Sequence, residues 1–585
     1  LLDGAQDVDA ALDRLPAGPR TVALRLLDTL RANGFLREAT ATLPHGLTED
    51  ELHRHAHEIA YVRHWLDSPE HHFERYRTAH VLLIGDDGLL AATRNALLAC
   101  GLRRVHTESP RADHATLRAA AERADAVVYA GDGTTPAAVR AVAAVERVCG
   151  DTTPLFRALS RHDACWLLPP GVPLRAADLA HRLAHHCATP APAPLSPAAT
   201  ALVGGRLALA VFRLLTGIPD EDTTEPGPVP EALRLDPHTL ATDRHRILPA
   251  PAPFRPDGLG STADFALRVK ALRAAPALSA DELTERLAAC ADGVAGPYGP
   301  PTTEYGSQIP LTVVRCALAG GGEAVGAALD PRAARDEALR RAGAAHALAA
   351  ARAVDADADF FVFAERLTDG RPRLLSADRA LTSAGRESAP ADHAPASEAQ
   401  ARPHASPAAV GTACAESWDA AVEAALLDAV RALAADRAAV PDACPAVDPA
   451  GLLHHTEAAR LWRLLRTLGP LPDVRDASAG LGVPVIALVA EGEVAALGCA
   501  STAAVAFADA ARSLLLARQL DDDSGSVRGP VPVALPGADP AERISALAAR
   551  LAAQGYAAHV VPLDQDRDFA ALVPFVARVV LDDVR

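Results

Sequence analysis

The chain has 585 residues, 49% of them apolar, and a formal net charge of −17. That length calls for roughly three or four domains, and that charge excludes a protein that grips nucleic acid along its whole surface. Aromatic residues make up only 4%, too few for the stacking platforms that hold single strands. The cysteines at 100, 149, 165, 187, 290, 316, 414, 444 and 499 form no CxxC pair. This favours reduced, buried thiols in a cytoplasmic protein over a four-thiolate zinc site or a disulfide scaffold.

Residues 1–40 read as helices. Val8 to Leu12 and Pro19 to Leu30 are helical, and Leu24, Leu27 and Leu30 share one face. Asn33-Gly34 closes the second helix before the short apolar stretch Phe35-Leu36. Helix, turn, helix, glycine and strand make a winged-helix pattern. Arg14, Arg20, Arg25, Arg31 and Arg37 are offset by acids in the same stretch, which disfavours DNA. The face formed by Leu24, Leu27, Leu30 and Phe35 is the candidate peptide-binding surface.

Residues 41–78, with His53, His55, His57, His64, His71 and His72, read as a helical linker. His53 and His57 stand four apart, yet no carboxylate or cysteine completes a metal site around them.

From 79 to 254 strands and helices alternate in the Rossmann manner. Val81 to Ile84 is a strand that runs into Gly85-Asp86-Asp87-Gly88 and then a helix ending near Gly101. Arg104–His106, Ala126–Tyr129, Pro154–Leu159 and Cys165–Pro169 continue the alternation. Ala201–Gly217 is an apolar helix in which Gly204-Gly205 permit close contact. The G-x-x-G turn has the outline of a phosphate cradle, but Asp87 stands where a second glycine belongs and its charge opposes an anion.

Residues 255–585 read as α+β. Strands are expected at Ile309–Arg315, Phe360–Ala364, Val483–Val489, His559–Leu563 and Phe575–Leu581, and helices over 331–352, 417–437, 504–519 and 540–553. The segment 376–410, rich in Ala, Pro, Ser and His, reads as a loop. No apolar stretch free of charge reaches the roughly 18 residues of a membrane span.

In this order, the elements resemble the cyclodehydratases that make thiazoles and oxazolines in ribosomal peptides. Leu2-Asp3-Gly4 with Val8, Leu12 and the Leu24–Leu30 helix resembles the element that captures a precursor's leader peptide. Residues 79–220 resemble the ThiF/E1-like domain, and Arg244-His245-Arg246-Ile247-Leu248-Pro249 resembles the connector before a zinc-binding cysteine pair. From about 260, Gln308-Ile309-Pro310-Leu311, Ala327-Ala328-Leu329-Asp330-Pro331, Gly411-Thr412-Ala413 and Pro574–Val580 resemble a YcaO domain.

The resemblance implies a multidomain α/β and α+β chain. Its parts are a winged-helix-like leader-recognition element (1–40), a helical linker (41–78), a ThiF/E1-like Rossmann-type domain (79–254) and a degenerate YcaO-like domain (255–585). The departures from the family shape the functional expectation. After Pro249 the chain reads Ala250-Pro251-Ala252-Pro253 and Cys165 has no partner, so no zinc is expected, with Cys187, His185 and His186 the fallback ligands. Working YcaO domains hold magnesium and ATP phosphates with glutamates on three core helices. The matched positions here are Arg341 and Ala344, then Asp428 and Arg431, then Leu515 and Leu516. Together with the degenerate turn Gly85, Asp87 and Gly88, this implies no catalytic residue, cofactor or metal in the chain itself. It implies a non-catalytic partner like the ThiF-like proteins of thiopeptide pathways. Such a partner binds the leader of a ribosomal precursor peptide and presents it to a separate YcaO cyclodehydratase, as a homodimer or heteromeric complex, without nucleic acid or membrane. The alternative is an active fused cyclodehydratase that uses ATP and Mg to convert Cys, Ser or Thr to azolines.

Overall fold

The runs Val81-Leu82-Leu83-Ile84 and Ala126-Val127-Val128-Tyr129 are buried on both faces, as the central strands of a helix-covered parallel sheet must be. The computed structural model describes residues 8–33, 43–85, 87–133, 135–150, 152–161, 164–171, 174–184, 195–219, 229–251, 261–303, 309–352, 361–381, 410–438, 444–519 and 539–584. They form two units. The first comprises Leu1–Val172, Pro190–Glu225 and Leu233–Asp243, and the second Pro173–Thr189, Pro226–Ala232 and Arg244–Arg585.

The first sheet is built from β1 (His80–Gly85), β2 (Arg104–Glu108), β3 (Ala126–Asp132), β4 (Leu155–Arg161), β5 (Ala164–Leu168), β6 (Glu231–Leu235) and β7 (Thr242–Arg246). Their order is β2-β1-β3-β4-β5-β6-β7. The first four are parallel, with Val81 opposite both Val105 and Ala126. β5 then runs antiparallel to both β4 and β6. Gly85 has φ +145°, and a Cβ there would overlap the Ala130 carbonyl oxygen. The glycine is therefore required by the approach of β1 to β3, which explains it without a phosphate.

The helix Pro197–Thr216 is capped by Ser196 and stopped by Gly217 at φ +82°. By length and composition it could cross a membrane. Here, however, Val203, Leu207, Val211, Phe212 and Leu215 are buried in the core of the first unit. At Gly204 a Cβ would lie 2.8 Å from the backbone of Ala92 and Thr93, whereas at Gly205 it would meet nothing within 4 Å. Only the first glycine of the pair serves close helix packing.

The stretch 41–78, expected as a linker, belongs to this same core. Its helices Glu49–Arg54, Ala56–Trp65 and Pro69–Thr78 place Ile59, Val62, Phe73 and Tyr76 against Val81 and Leu83. Arg77 is buried and donates to Glu51 at 2.8 Å and to the Gly101 carbonyl at 2.8 Å. His53 and His57 are exposed. The histidines and arginines of this stretch mask a sparse apolar face that is enough to dock it.

The second unit holds β8 (Thr312–Ala317), β9 (Glu323–Ala328), β10 (Phe361–Arg366), β11 (Pro372–Ser376), β12 (Thr412–Cys414), β13 (Asp473–Asp476), β14 (Val485–Ala490), β15 (Glu493–Cys499), β16 (Tyr556–Pro562) and β17 (Val576–Asp583). They form a five-stranded sheet β11-β10-β16-β17-β12, a three-stranded sheet β13-β14-β15 and the hairpin β8-β9. Every described pairing among them is antiparallel.

One design occurs twice. The hairpin β8-β9 leads into the helix Pro331–Arg352, and β14-β15 leads into Ala503–Gln519. In each, a glycine of the second strand rests on the following helix. A Cβ at Gly326 would overlap the Ala334 carbonyl and lie 2.5 Å from the Ala338 nitrogen. A Cβ at Gly498 would do the same to Ala506 and Ala510. The glycine-to-alanine offsets are identical in the two copies, so sheet and helix backbones meet without side chains between them. The long helices carry alanine runs because that approach leaves no room for larger residues.

Candidate functional site

Three helices carry the positions at which the family resemblance places its acids: Pro331–Arg352, Trp418–Arg437 and Ala503–Gln519. On the first, Arg341 lies 2.7 Å from Glu337 one turn earlier and donates to the Val325 carbonyl at 2.9 Å. Glu337 in turn accepts from the Ala327 amide at 3.1 Å. Ala344 is core, packed with Leu339 and Leu348.

On the second helix, Asp428 and Arg431 are both buried and hydrogen-bonded to each other. Asp428 also accepts from the Gly411 amide at 2.7 Å, which ties the helix to the start of β12. Arg431 reaches on to the third helix, where its Nη1 lies 3.9 Å from Asp509. Asp509 is 3% exposed. Neither of its carboxylate oxygens accepts a hydrogen bond from the described residues. Burial pushes its pKa up to about 6, against the pull of Arg431 and Arg512 and with the push of Glu337. Arg431 is held above its ordinary value by Asp428 and Asp509 even though burial works the other way. Arg512 is engaged with Glu457 at 2.8 Å. Leu515 and Leu516 are buried in the core around Phe507.

The result is a charge cluster in which Glu337, Asp428 and Asp509 face Arg341, Arg431 and Arg512. A carboxylate-held divalent cation needs several oxygens free to converge on one point. Here Glu337 and Asp428 are committed to guanidinium and amide groups, and Arg431 stands between Asp428 and Asp509. This donor set does not fit magnesium. Among the described residues no group of three or more His, Cys, Asp and Glu side chains is arranged to hold a metal ion.

Sequence reading located Arg341, Asp428 and Arg431, which the fold brings onto neighbouring helices, but missed Glu337, Asp509 and Glu457. For Asp509 a signal was present: it is the one acid in the run Ala503–Ala511. A second buried centre was also missed. Asp566 accepts from His346 at 2.9 Å and from Arg182 at 3.3 Å, while Arg182 donates to the carbonyls of Leu248 and Pro249. This centre holds the connector Arg244–Pro249 to the helix Pro331–Arg352. Burial, and after it Arg182, keeps His346 below the usual imidazole range against Asp566.

The remaining predicted positions scatter. Gly85 is explained by strand packing, Gly88 borders open space, and Asp87 begins the helix Asp87–Ala99. Cys165 is buried in β5, and burial pushes its thiol to about 12. Cys187, His185 and His186 lie outside the described residues, as does Phe35. In the N-terminal helix Ala17–Ala32, Leu27 is buried, Leu30 half-buried and Leu24 exposed. Val22 and Leu26, not singled out from the sequence, are more exposed still, at 68% and 58%.

No protein-family model and no curated protein matches the sequence. Among solved structures, the architecture is similar over its whole length to heterocyclases. One is a heterocyclase in complex with substrate and cofactor, at TM-score 0.62 and 14% identity, covering 100% of this chain and 90% of that one. Another is the heterocyclase TruD, at TM-score 0.57 and 13% identity, covering 99% of this chain and 87% of that one. At such identity the likeness is one of fold: a multidomain α/β architecture of the heterocyclase kind.

Proposed function

We propose that this chain is a non-catalytic partner in azoline formation. It binds the leader of a ribosomal precursor peptide and presents the peptide to a separate YcaO-type cyclodehydratase in a thiopeptide-type pathway. On this reading residues 1–40 are the leader-recognition element, 79–254 the ThiF/E1-like domain and 255–585 a YcaO-like domain that has lost its chemistry. The likeness of fold to heterocyclases supports the setting. The observation that supports the non-catalytic part is the cluster on the three helices, where Glu337 and Asp428 are paired with arginines and, among the described residues, no set of carboxylates converges to hold Mg-ATP.

Phosphate release with Mg-ATP and precursor peptide, with and without the partner enzyme, tests the reading. The chain alone is expected to release none above background. Turnover by the chain alone would overturn the proposal and identify a fused cyclodehydratase. Leader binding is tested separately by titrating leader peptide against the wild type and Leu27→Asp. The variant places an unpaired charge under the N-terminal helix and is expected to lose binding.

A further inference from the structure

The five-stranded sheet of the second unit ends at β11, which pairs with β10 on one side and with no strand on the other among the described residues. An open edge offers unpaired amides and carbonyls to an incoming chain, and proteins ordinarily blunt such edges. Here Pro372 opens the strand and offers no amide, so the pairing edge is Arg373–Ser376, dressed with an arginine and apolar side chains. Leu374 lies opposite Phe363, and Phe361 lies diagonally beside it on the same face. Phe363 is covered, stacked on Phe265 at 5.3 Å, but Phe361 and Leu374 are 51% and 54% exposed. Phe361 is the only aromatic among the large exposed apolar residues described in a chain with few aromatics.

The charge around this edge opposes that of the molecule as a whole. Arg371 is 80% exposed and shares Asp369 with Arg366, at 3.8 and 3.3 Å. Arg373 is exposed and forms no ion pair among the described residues. These arginines are felt two strands away, beyond β10. His559 on β16 is held below its ordinary range by burial and then by Arg366, Arg373 and Arg379, although Asp582 works in the opposite direction.

We propose that the open edge of β11 is a docking strand for an extended acidic–apolar peptide segment, which adds to the sheet by backbone pairing. The pleat sets the pattern required of the guest. Successive side chains of β11 point to opposite faces, so Arg373 and Leu374 meet different faces of the added strand. The guest must therefore alternate, with carboxylates on the Arg373 face and apolar residues on the Leu374 and Phe361 face. Backbone pairing supplies affinity and these alternating contacts supply selectivity. The surface uses none of the residues proposed to bind the leader, and its test involves neither leader nor ATP.

The probe is a fluorescein-labelled peptide, acetyl-Asp-Leu-Glu-Val-Asp-Phe-Glu-amide, titrated by anisotropy against the full chain. One control replaces every acid by lysine, and another scrambles the order so that alternation is lost. The alternating acidic peptide is expected to bind at least ten-fold more tightly than either control. Arg373→Glu and Leu374→Ser are each expected to weaken it at least ten-fold, with Arg373→Glu shifting preference toward the lysine peptide. Both side chains are exposed, so folding should be kept. If either variant misfolds, Arg371→Glu at the more exposed turn is expected to weaken binding and decides the matter. No binding, or equal binding of all three peptides, overturns the proposal. A concentration-dependent dimer abolished by Leu374→Ser, with no peptide bound, overturns it in favour of a second copy of the chain.

Discussion

Replacing Asp509 by asparagine isolates a buried and poorly satisfied carboxyl group. The side chain is 3% exposed, its oxygens accept no hydrogen bond from the described residues, and its nearest cation is Arg431 at 3.9 Å. Its pKa rises from 3.8 to about 6 on folding. Because the folded state then holds a proton that the unfolded state has released, this group's contribution to stability is fully present below 3.8. It is lost as pH rises through about 6. A shift of that size corresponds to about 3 kcal/mol in all, of which roughly half falls between pH 5 and pH 8. Asparagine cannot titrate. The stability difference, variant minus wild type, should therefore grow in the variant's favour by about 1 kcal/mol from pH 5 to pH 8. Hydrogen exchange of the helix Ala503–Gln519, corrected for intrinsic rates, reads this in the intact protein. Taking a difference cancels the opposite slopes of His346 and His559, whose pKa values are lowered. A flat difference would show that the pKa of Asp509 is not raised on folding. A difference that is flat and against the variant at every pH would show that the Arg431 pair is a net stabiliser, because a carboxyl with a lowered pKa is already ionised in both states above pH 5.

Other perturbations probe the frame around that cluster. Gly498→Ala should lower stability by at least about 3 kcal/mol, because its Cβ would overlap the Ala506 carbonyl in a sheet-helix contact with no slack. Gly205→Ala, where a Cβ meets nothing, should instead be neutral or stabilising by up to about 1 kcal/mol, and thermal melts distinguish the two. Arg182→Met removes one buried partner of Asp566 and should destabilise the second unit by about 3 kcal/mol or more. It should also raise the His346 pKa, measurable by NMR, since Arg182 is one of the influences holding it down. An unchanged His346 titration would mean that Arg182 acts on it only through packing.

Much of the frame could be read from sequence because local signals agreed with the tertiary demand. The helices 331–352 and 540–553 were bounded correctly, each opening on a proline at its first turn, where the missing amide is harmless. β1, β3, β14 and β17 announced themselves as apolar runs. Strands such as β7, Thr-Asp-Arg-His-Arg, and β13, Asp-Val-Arg-Asp, did not, since they sit at or near sheet edges and bury little. The strand expected from Ile309 begins instead at Thr312, and Ile309 itself is 80% exposed. The supposed linker was misread because Phe73 and Tyr76 are thinly spaced among charged residues. Their burial depends on strands later in the chain.

The site was only half legible, for a physical reason. Arg341 and Arg431 were visible as arginines at positions where the resemblance places acids. A guanidinium brought into a helix-packed interior needs a counter-charge there, because an unpaired buried charge is far more expensive than a paired one. Each arginine in the core therefore predicts a retained acid within reach. Glu337 lies one turn from Arg341, and Asp428 lies one turn from Arg431. The third acid, Asp509, comes from a helix remote in sequence and could be found only by asking which lone acid in an alanine run faces Arg431. Its incomplete satisfaction follows from the same geometry: Arg431 hydrogen-bonds Asp428, and what remains for Asp509 is attraction at 3.9 Å. Arginines buried among packed helices thus hold acids beside them as counter-ions. The carboxylates of such a cluster are accounted for by the arginines they neutralise, and they do not by themselves indicate a metal site.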